Sequence, residues 1–310
     1  MTGLDAQLAY AKESVANTRE VPDHFLGFAS ENLQHTNPVI PIPTLAAGRK
    51  LPHRHRRGNK SNSGSFTFPL LPESTGELLE LCVGGVVTTG SGPYVHTITP
   101  GDLSTATIQA GRPDKSGTVH PFDYVGAMIS AWTMTIDASG DGNPVNFTPE
   151  WAARQELTDQ SLVAAAYPST QTHWTSVEAS MTLAGSAFPI DSLNIAGNNG
   201  LEIKHYAGDA NPVIRESGWR EISATIATDL DGLTAYNRYK DDTSATIVVT
   251  IGSSASLDLE ITMNGYFVSP STPNVEGPQV TKQNLPFMCE SVTTDAAAFT
   301  AVLTNSDANP

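Results

Sequence analysis

The chain has 310 residues, with 17 Lys and Arg against 32 Asp and Glu, so its formal net charge is −15; 16% of residues are charged and 39% hydrophobic. That balance is too apolar for a disordered chain. No stretch approaches the ~18 unbroken apolar residues of a membrane helix, and MTGLDAQLAYAKES lacks the basic-then-apolar layout of a secretory signal. A strongly anionic surface also argues against gripping DNA through its phosphates.

The charge is unevenly spread. Residues 49–60, RKLPHRHRRGNK, hold Arg49, Lys50, Arg54, Arg56, Arg57 and Lys60 without one acid. The other 11 cations face all 32 acids, which leaves −21 for the rest of the chain. Pro38, Pro41 and Pro43 precede the run and a Gly/Ser/Asn stretch over 58–65 follows it, a pattern of an extended arm or long loop and not of a helix. Such an arm can dock on an acidic neighbouring copy, lie as a solvated loop, or contact nucleic acid.

Next in the chain, Ser74-Thr75-Gly76-Glu77 reads as a capping box before Leu78, Leu79 and Leu81, with Gly84-Gly85 as the stop, which predicts a short helix over 76–83. Strands are predicted at roughly 10–15-residue intervals: Tyr94–Thr99, Thr105–Ala110, Phe122–Asp137, Val145–Thr148, Trp174–Leu183, Leu193–Ile195, Trp219–Asp229, Ala245–Ile251, Leu257–Val268 and Phe299–Thr304. Residues 150–162 fit neither pattern, and Leu233–Lys240 is a second helix candidate. Alternation is clean in two strands: Ile222, Ala224, Ile226 and Leu230 share one face, and Leu257, Leu259, Ile261 and Met263 another, with polar residues opposite. In 122–137 both faces are apolar, with Met128, Trp132, Met134 and Ile136 on one and Val125, Ala127, Ile129 and Ala131 on the other. Such a strand is central in an ordinary sandwich or is covered by a neighbouring subunit.

Chemistry motifs fail one by one. Cys82 and Cys289, the only cysteines, read as small buried groups and not as a disulfide framework, which fits a reducing compartment or a redox-indifferent virion surface. His53-Arg54-His55 has a metal-like spacing but sits among cations. Asp137, Ser139, Asp141, Gly142 and Asn143 imitate a calcium loop, yet Thr148 stands where the bidentate Glu belongs, so Asp141-Gly142 reads as a turn. The other histidines are scattered, and there is no nucleophile elbow, phosphate loop or zinc-protease helix. No cofactor or metal is expected, and the residues point to a structural or binding protein and not to an enzyme.

Across the chain a family pattern emerges. Leu8-Ala9-Tyr10-Ala11-Lys12-Glu13-Ser14, then Val21-Pro22 and Phe25-Leu26, resembles the opening of tail tube proteins from phages with long, flexible, non-contractile tails. The similarity continues through Gly64–Phe68, Gly84-Gly85, Tyr94–Asp102, Gly111-Arg112-Pro113, Phe122–Gly126, Ser130–Met134, Gly277-Pro278, Leu285-Pro286-Phe287 and Leu303-Thr304-Asn305. Residues 38–60 are more proline-rich and basic than the pattern. The resemblance implies a mainly β fold, a β-sandwich or partly closed β-barrel with one or two short flanking helices. Residues 1–65 would supply an N-terminal strand and the extended arm (38–64), and 66–310 the sandwich body that forms one unit with that strand. It further implies six-membered rings stacked into a tube, virion tail localisation after assembly in the host cytoplasm, and no membrane. Expected partners are other copies of the chain, the tape measure, tail terminator and distal tail proteins, and viral DNA passing through without specific binding.

Within that picture Asp258 and Glu260, Asp137 and Asp141, and Asp229 and Asp231 are candidate channel-facing acids, with an acidic outer surface kept for solubility as the alternative. Arg49, Lys50, Arg54, Arg56, Arg57 and Lys60 become a candidate inter-subunit clamp. The competing reading is a β-sandwich binding module, a capsid decoration or carbohydrate-binding protein with an aromatic platform among Trp151, Trp174 and Trp219; a sandwich hydrolase is a third.

Overall fold

A computed structural model describes residues 3–310 except 45–47, 49, 52, 53, 141, 169–171, 271, 276 and 292. Strand β1 (Gln7–Lys12) is followed by the short β2 (His24–Leu26), β3 (Ser30–Glu31) and β4 (Gln34–Thr36), then by a hairpin of β5 (Val39–Pro41) and β6 (His55–Arg57). β7 (Ser61–Pro69) leads through helix α1 (Gly76–Val83) to β8 (Gly84–Thr89) and β9 (Tyr94–Pro100). The middle of the chain contains β10 (Ala106–Pro113), the 19-residue β11 (Val119–Asp137), β12 (Asn146–Ala153) and β13 (Gln155–Leu157). After β14 (Ala179–Leu183), β15 (Ser186–Ala187) and β16 (Ser192–Asn198) comes a second hairpin, β17 (Leu201–Lys204) and β18 (Val213–Glu216). The last stretch runs through β19 (Glu221–Asp229), α2 (Thr234–Lys240), β20 (Ala245–Ser254), β21 (Leu257–Phe267), β22 (Lys282–Cys289), α3 (Asp295–Ala298) and β23 (Phe299–Asn305).

Nineteen strands form one antiparallel sheet that folds on itself as a sandwich and stays open, without closing into a barrel; each hairpin is a separate two-stranded sheet. The first layer runs β4–β7–β12–β11–β16–β19–β22 and the second β15–β14–β20–β21–β23–β9–β8. They join where Gly265–Phe267 of β21 pairs with Phe287–Cys289 of β22. A third patch, β2–β1–β10, is continuous with the N-terminal half of β11 and with β13.

β11 serves both regions because it bends. Gly126 takes φ +63°, and its missing Cβ would lie 2.5 Å from Asn17 Oδ1, so a side chain is excluded on both counts. The buried Glu13 holds the bend: its carboxylate accepts the Gly126 amide at 2.8 Å, the Asn17 amide at 2.7 Å and the hydroxyls of Thr105 and Thr107. A bulge between Ile129 and Ala131 then shifts the strand's parity. Ile129, expected on the face opposite Trp132, therefore joins the same core as Trp132, Met134 and Ile136. The cover on both faces of Asp123–Ile129 comes from the chain itself.

The core faces inward from both layers. Trp132 packs on Phe147 (ring centroids 6.0 Å apart) and, across the sandwich, on Phe299 (6.2 Å), while Leu79, Cys82 and Val83 of α1 close the end. Burial pushes the Cys82 thiol well up and the Cys289 thiol to about 12; both cysteines are free. The period-2 strands bury the expected sides, with Thr228 added to the inner face of β19, where its hydroxyl donates to Pro189 O.

Several local expectations are corrected. α1 has the expected span, but Ser74 does not cap it: the Thr75 hydroxyl donates to Leu71 O, and Glu77 accepts the Lys12 amide from β1. Trp174–Leu183 is strand only from Ala179, since a single 3₁₀ turn at Ser176–Glu178, closed by a Thr175/Glu178 capping box, precedes it. The ambiguous stretch after residue 150 continues β12 through the buried Trp151, Ala152 and Ala153 and then forms β13. Ser61–Ser65, expected as part of a polar loop, lies in β7, paired to β12 and β4.

Gly197 of β16 lies opposite Trp132, and a Cβ there would fall 2.3 Å from the indole. The ring packs against Phe147 and Phe299, which oppose its displacement. Gly197→Ala is expected to cost about 1–3 kcal/mol through overpacking, read as a lower urea midpoint with an unchanged m-value; an unchanged midpoint would show that the ring yields.

Candidate assembly surfaces

Register places a distinctive surface on the outer side of the second layer. Cross-strand partners share a face, so Ser180 and Thr182 of β14 align with Thr250 and Val248 of β20, then with Glu260 and Thr262 of β21. The row continues into Val302 and Thr300 of β23, Thr97 and Val95 of β9, and Val87 and Thr89 of β8. Six strands thus present hydroxyls and short aliphatics with two charges, Asp258 and Glu260, both carboxylates two residues apart on one side of β21. No cation projects from this side of the six strands among the described residues. At its far end the Asn264 amide donates to Ala297 O of α3, and Arg238 of α2 to Ser244 O at 2.7 Å.

The layer's two margins differ. β8 is paired only with β9; among the described residues its outer edge carries no strand, and Val87 is 63% exposed. At the opposite margin β14 is flanked by the two-residue β15.

The remaining acids lie elsewhere. Asp137 ends β11 and Asp229 ends β19, both in the first layer. The Asp137 carboxylate accepts the Ser139 amide at 2.8 Å, which holds its carboxyl below the ordinary range. Lys282 sits between Asp191 (2.6 Å) and Asp229 (2.7 Å), and hydrogen bonding to the two carboxylates pushes its ammonium up to about 12. Asp231 is exposed in the loop before α2, and Asp141 lies outside the described residues. The structure therefore does not bring Asp137, Asp229 and Asp231 together with Asp258 and Glu260.

The basic arm is a β-hairpin. Val39 pairs with Arg57, Ile40 with Arg56 and Pro41 with His55, and Ile42 N donates to Arg54 O. Its base is tied down: Gly58 N donates to Pro38 O, Lys60 N to Ala210 O at 2.8 Å, and His205 Nε2 contacts Lys60 O. Lys50, Arg54, Arg56 and Arg57 are exposed and Lys60 half-buried, and among the described residues none forms an ion pair. Arg49 and His53 lie outside the described residues, which contain no cluster able to hold a metal ion.

Of the three tryptophans considered for an exposed platform, Trp151 and Trp174 are buried with the core, whereas Trp219 is 95% exposed. Trp219 rims a groove of about 590 Å³ whose apolar floor includes Val83, Pro100 and Phe299. Four carboxylates, Asp102, Glu216, Glu290 and Asp295, line it against one guanidinium, Arg220, which is already held by Glu216 and by Val83 O. Sequence reading misses this groove because its walls come from five separate segments.

Among the described residues no helix is long and apolar enough to cross a membrane. No curated protein matches the chain. The family model for phage tail tube proteins matches residues 3–289, from the first 3₁₀ turn to the end of β22. The chain belongs to the phage tail tube protein family and is a structural tail protein.

Proposed function

We propose that the chain polymerises into stacked rings that form the tube of a non-contractile phage tail, and that the outer side of the second layer faces the channel through which DNA leaves. The observation that carries this reading is the six-strand surface of hydroxyls and aliphatics whose only charges are Asp258 and Glu260. Each fixed cation that neutralises a phosphate adds affinity and a salt-dependent hold on DNA. A wall without cations and with a few carboxylates repels the backbone and leaves the duplex free to slide.

The open edge of β8 supports lateral assembly, since an unpaired row of N–H and C=O groups is completed by a strand from a neighbouring copy. The hairpin supports the second contact: its described cations form no ion pair among the described residues and meet a body of opposite sign on another copy. Arg49, Lys50, Arg54, Arg56, Arg57 and Lys60 are then the clamp, and the chain is one sandwich unit, N-terminal strand included, with a projecting arm. Asp137 and Asp229, which end first-layer strands, and Asp141 and Asp231 remain a second candidate set. A heterologous contact that does not close produces a tube, and its ends would meet the tape measure, tail terminator and distal tail proteins.

Negative-stain microscopy of the purified chain should show rings or tubes with a central hole; discrete monomers that bind glycans would favour the binding-module reading instead. Particles built with Asp258→Lys and Glu260→Lys are expected to assemble but to release DNA more slowly, with greater salt dependence; unchanged release kinetics would remove this surface from the channel. Replacing Arg54, Arg56 and Arg57 by Gln should give fewer and shorter tubes, and tubes of normal length would end the clamp assignment.

A further inference from the structure

We propose that the groove under Trp219 is the receptor for the basic hairpin of a neighbouring copy, which inserts the face carrying Ile40, Ile42, Arg54 and Arg56. This rests on the tube reading above and adds the surface on which the arm docks.

Register defines that face. Opposed residues on a hairpin point the same way, so Ile40 lies with Arg56, and the Ile42–Arg54 hydrogen bond continues the same row. Two aliphatics thus alternate with two arginines, and Ile40 is 51% exposed in the isolated chain. The groove offers the complement. Its floor is apolar at Val83, Pro100 and Phe299. Asp102, Glu290 and Asp295 are exposed carboxylates on its walls, and none forms an ion pair among the described residues. Its volume of about 590 Å³ falls within the roughly 300–1,000 Å³ of sites that hold several packed groups.

Trp219 decides between a generic acidic cleft and one suited to arginine. An indole left 95% exposed buries almost none of its surface against its own chain, whereas an arginine stacked on its face gains both cation–π attraction and burial of its stem. Gly218 and Gly200 set its loop: Gly218 N donates to Gly200 O at 3.1 Å, next to the first residues of β17, so the indole is presented from a fixed turn. Each such contact is modest, but a tube repeats it at every copy, and linked weak contacts add as avidity.

Two forms with one exposed cysteine each test the assignment, both with Cys289→Ser and with the buried Cys82 kept: one carries Arg56→Cys on the hairpin and the other Ser291→Cys on the groove wall. Mixed, assembled and oxidised, they should give a disulfide-linked dimer of unlike chains. Acrylamide quenching provides a second readout on the unmodified chain. Before assembly, the accessible fluorescence should be that of one tryptophan in four and should vanish in Trp219→Phe; in tubes the same fraction should be lost. Tubes of normal appearance with no mixed dimer and with Trp219 still open to quencher would overturn the groove assignment and leave the tube reading intact. A chain that remains monomeric at high concentration would overturn both.

Discussion

The architecture depends on a carboxylate buried where the longest strand must turn. Glu13 collects two amides and two hydroxyls around the bend at Gly126, so the strand changes direction without leaving those groups unpaired. A buried donor that loses its partner costs about 1–3 kcal/mol, and two of the four, the Gly126 amide and the Thr107 hydroxyl, are buried. Because β11 bends there, its first half pairs with β10 and β13 and its second half with β12 and β16. The part of the core centred on Trp132 lies on the far side of that bend and is continuous with Tyr10, Ile108 and Tyr124 on the near side.

The same region fixes the N-terminal segment. Arg19 reaches the fully buried Asp123 at 2.6 Å, Arg112 grips Glu31 through two hydrogen bonds of 2.9 and 2.8 Å while lying over Phe122, and Lys12 pairs with Glu80 of α1. The chain therefore reaches Asn37 already immobilised, and the hairpin projects from a rigid base instead of trailing from a loose terminus. A projecting element aimed by its base loses less entropy on docking than a disordered tail.

Much of this was legible in the sequence, for reasons that differ by element. β19 and β21 announce themselves because one side packs on the core and the other meets water, which is what period-2 patterning records. The Leu-rich run and the glycine stop mark α1 with the right ends, while its N-terminal contacts come from β1. β22 is absent from the predicted strands, and the Pro286 carbonyl in it accepts the Val268 amide at 2.9 Å at the junction of the layers. The inversion of Ile129 was invisible because a bulge leaves no mark on composition. Glu13, Gly126, Asp123 and Arg112 all fell within the stretches that carried the family resemblance, and the structure gives each a mechanical reason. The acids of β21 could be read from alternation, but the absence of cations across six strands could not, because it requires the register of strands separated by up to some two hundred residues.

The hairpin and the β8 edge would hold an assembly by forces that respond differently to solution conditions. Charges on an exposed arm are screened once the Debye length falls to about 3 Å near 1 M salt, whereas backbone pairing along an edge strand involves no net charge. Ionic strength then acts on one contact and spares the other. In a tube built from both, concentrated salt would loosen the arm-mediated joints first and leave the strand-paired units whole, and dilution would allow those units to rejoin.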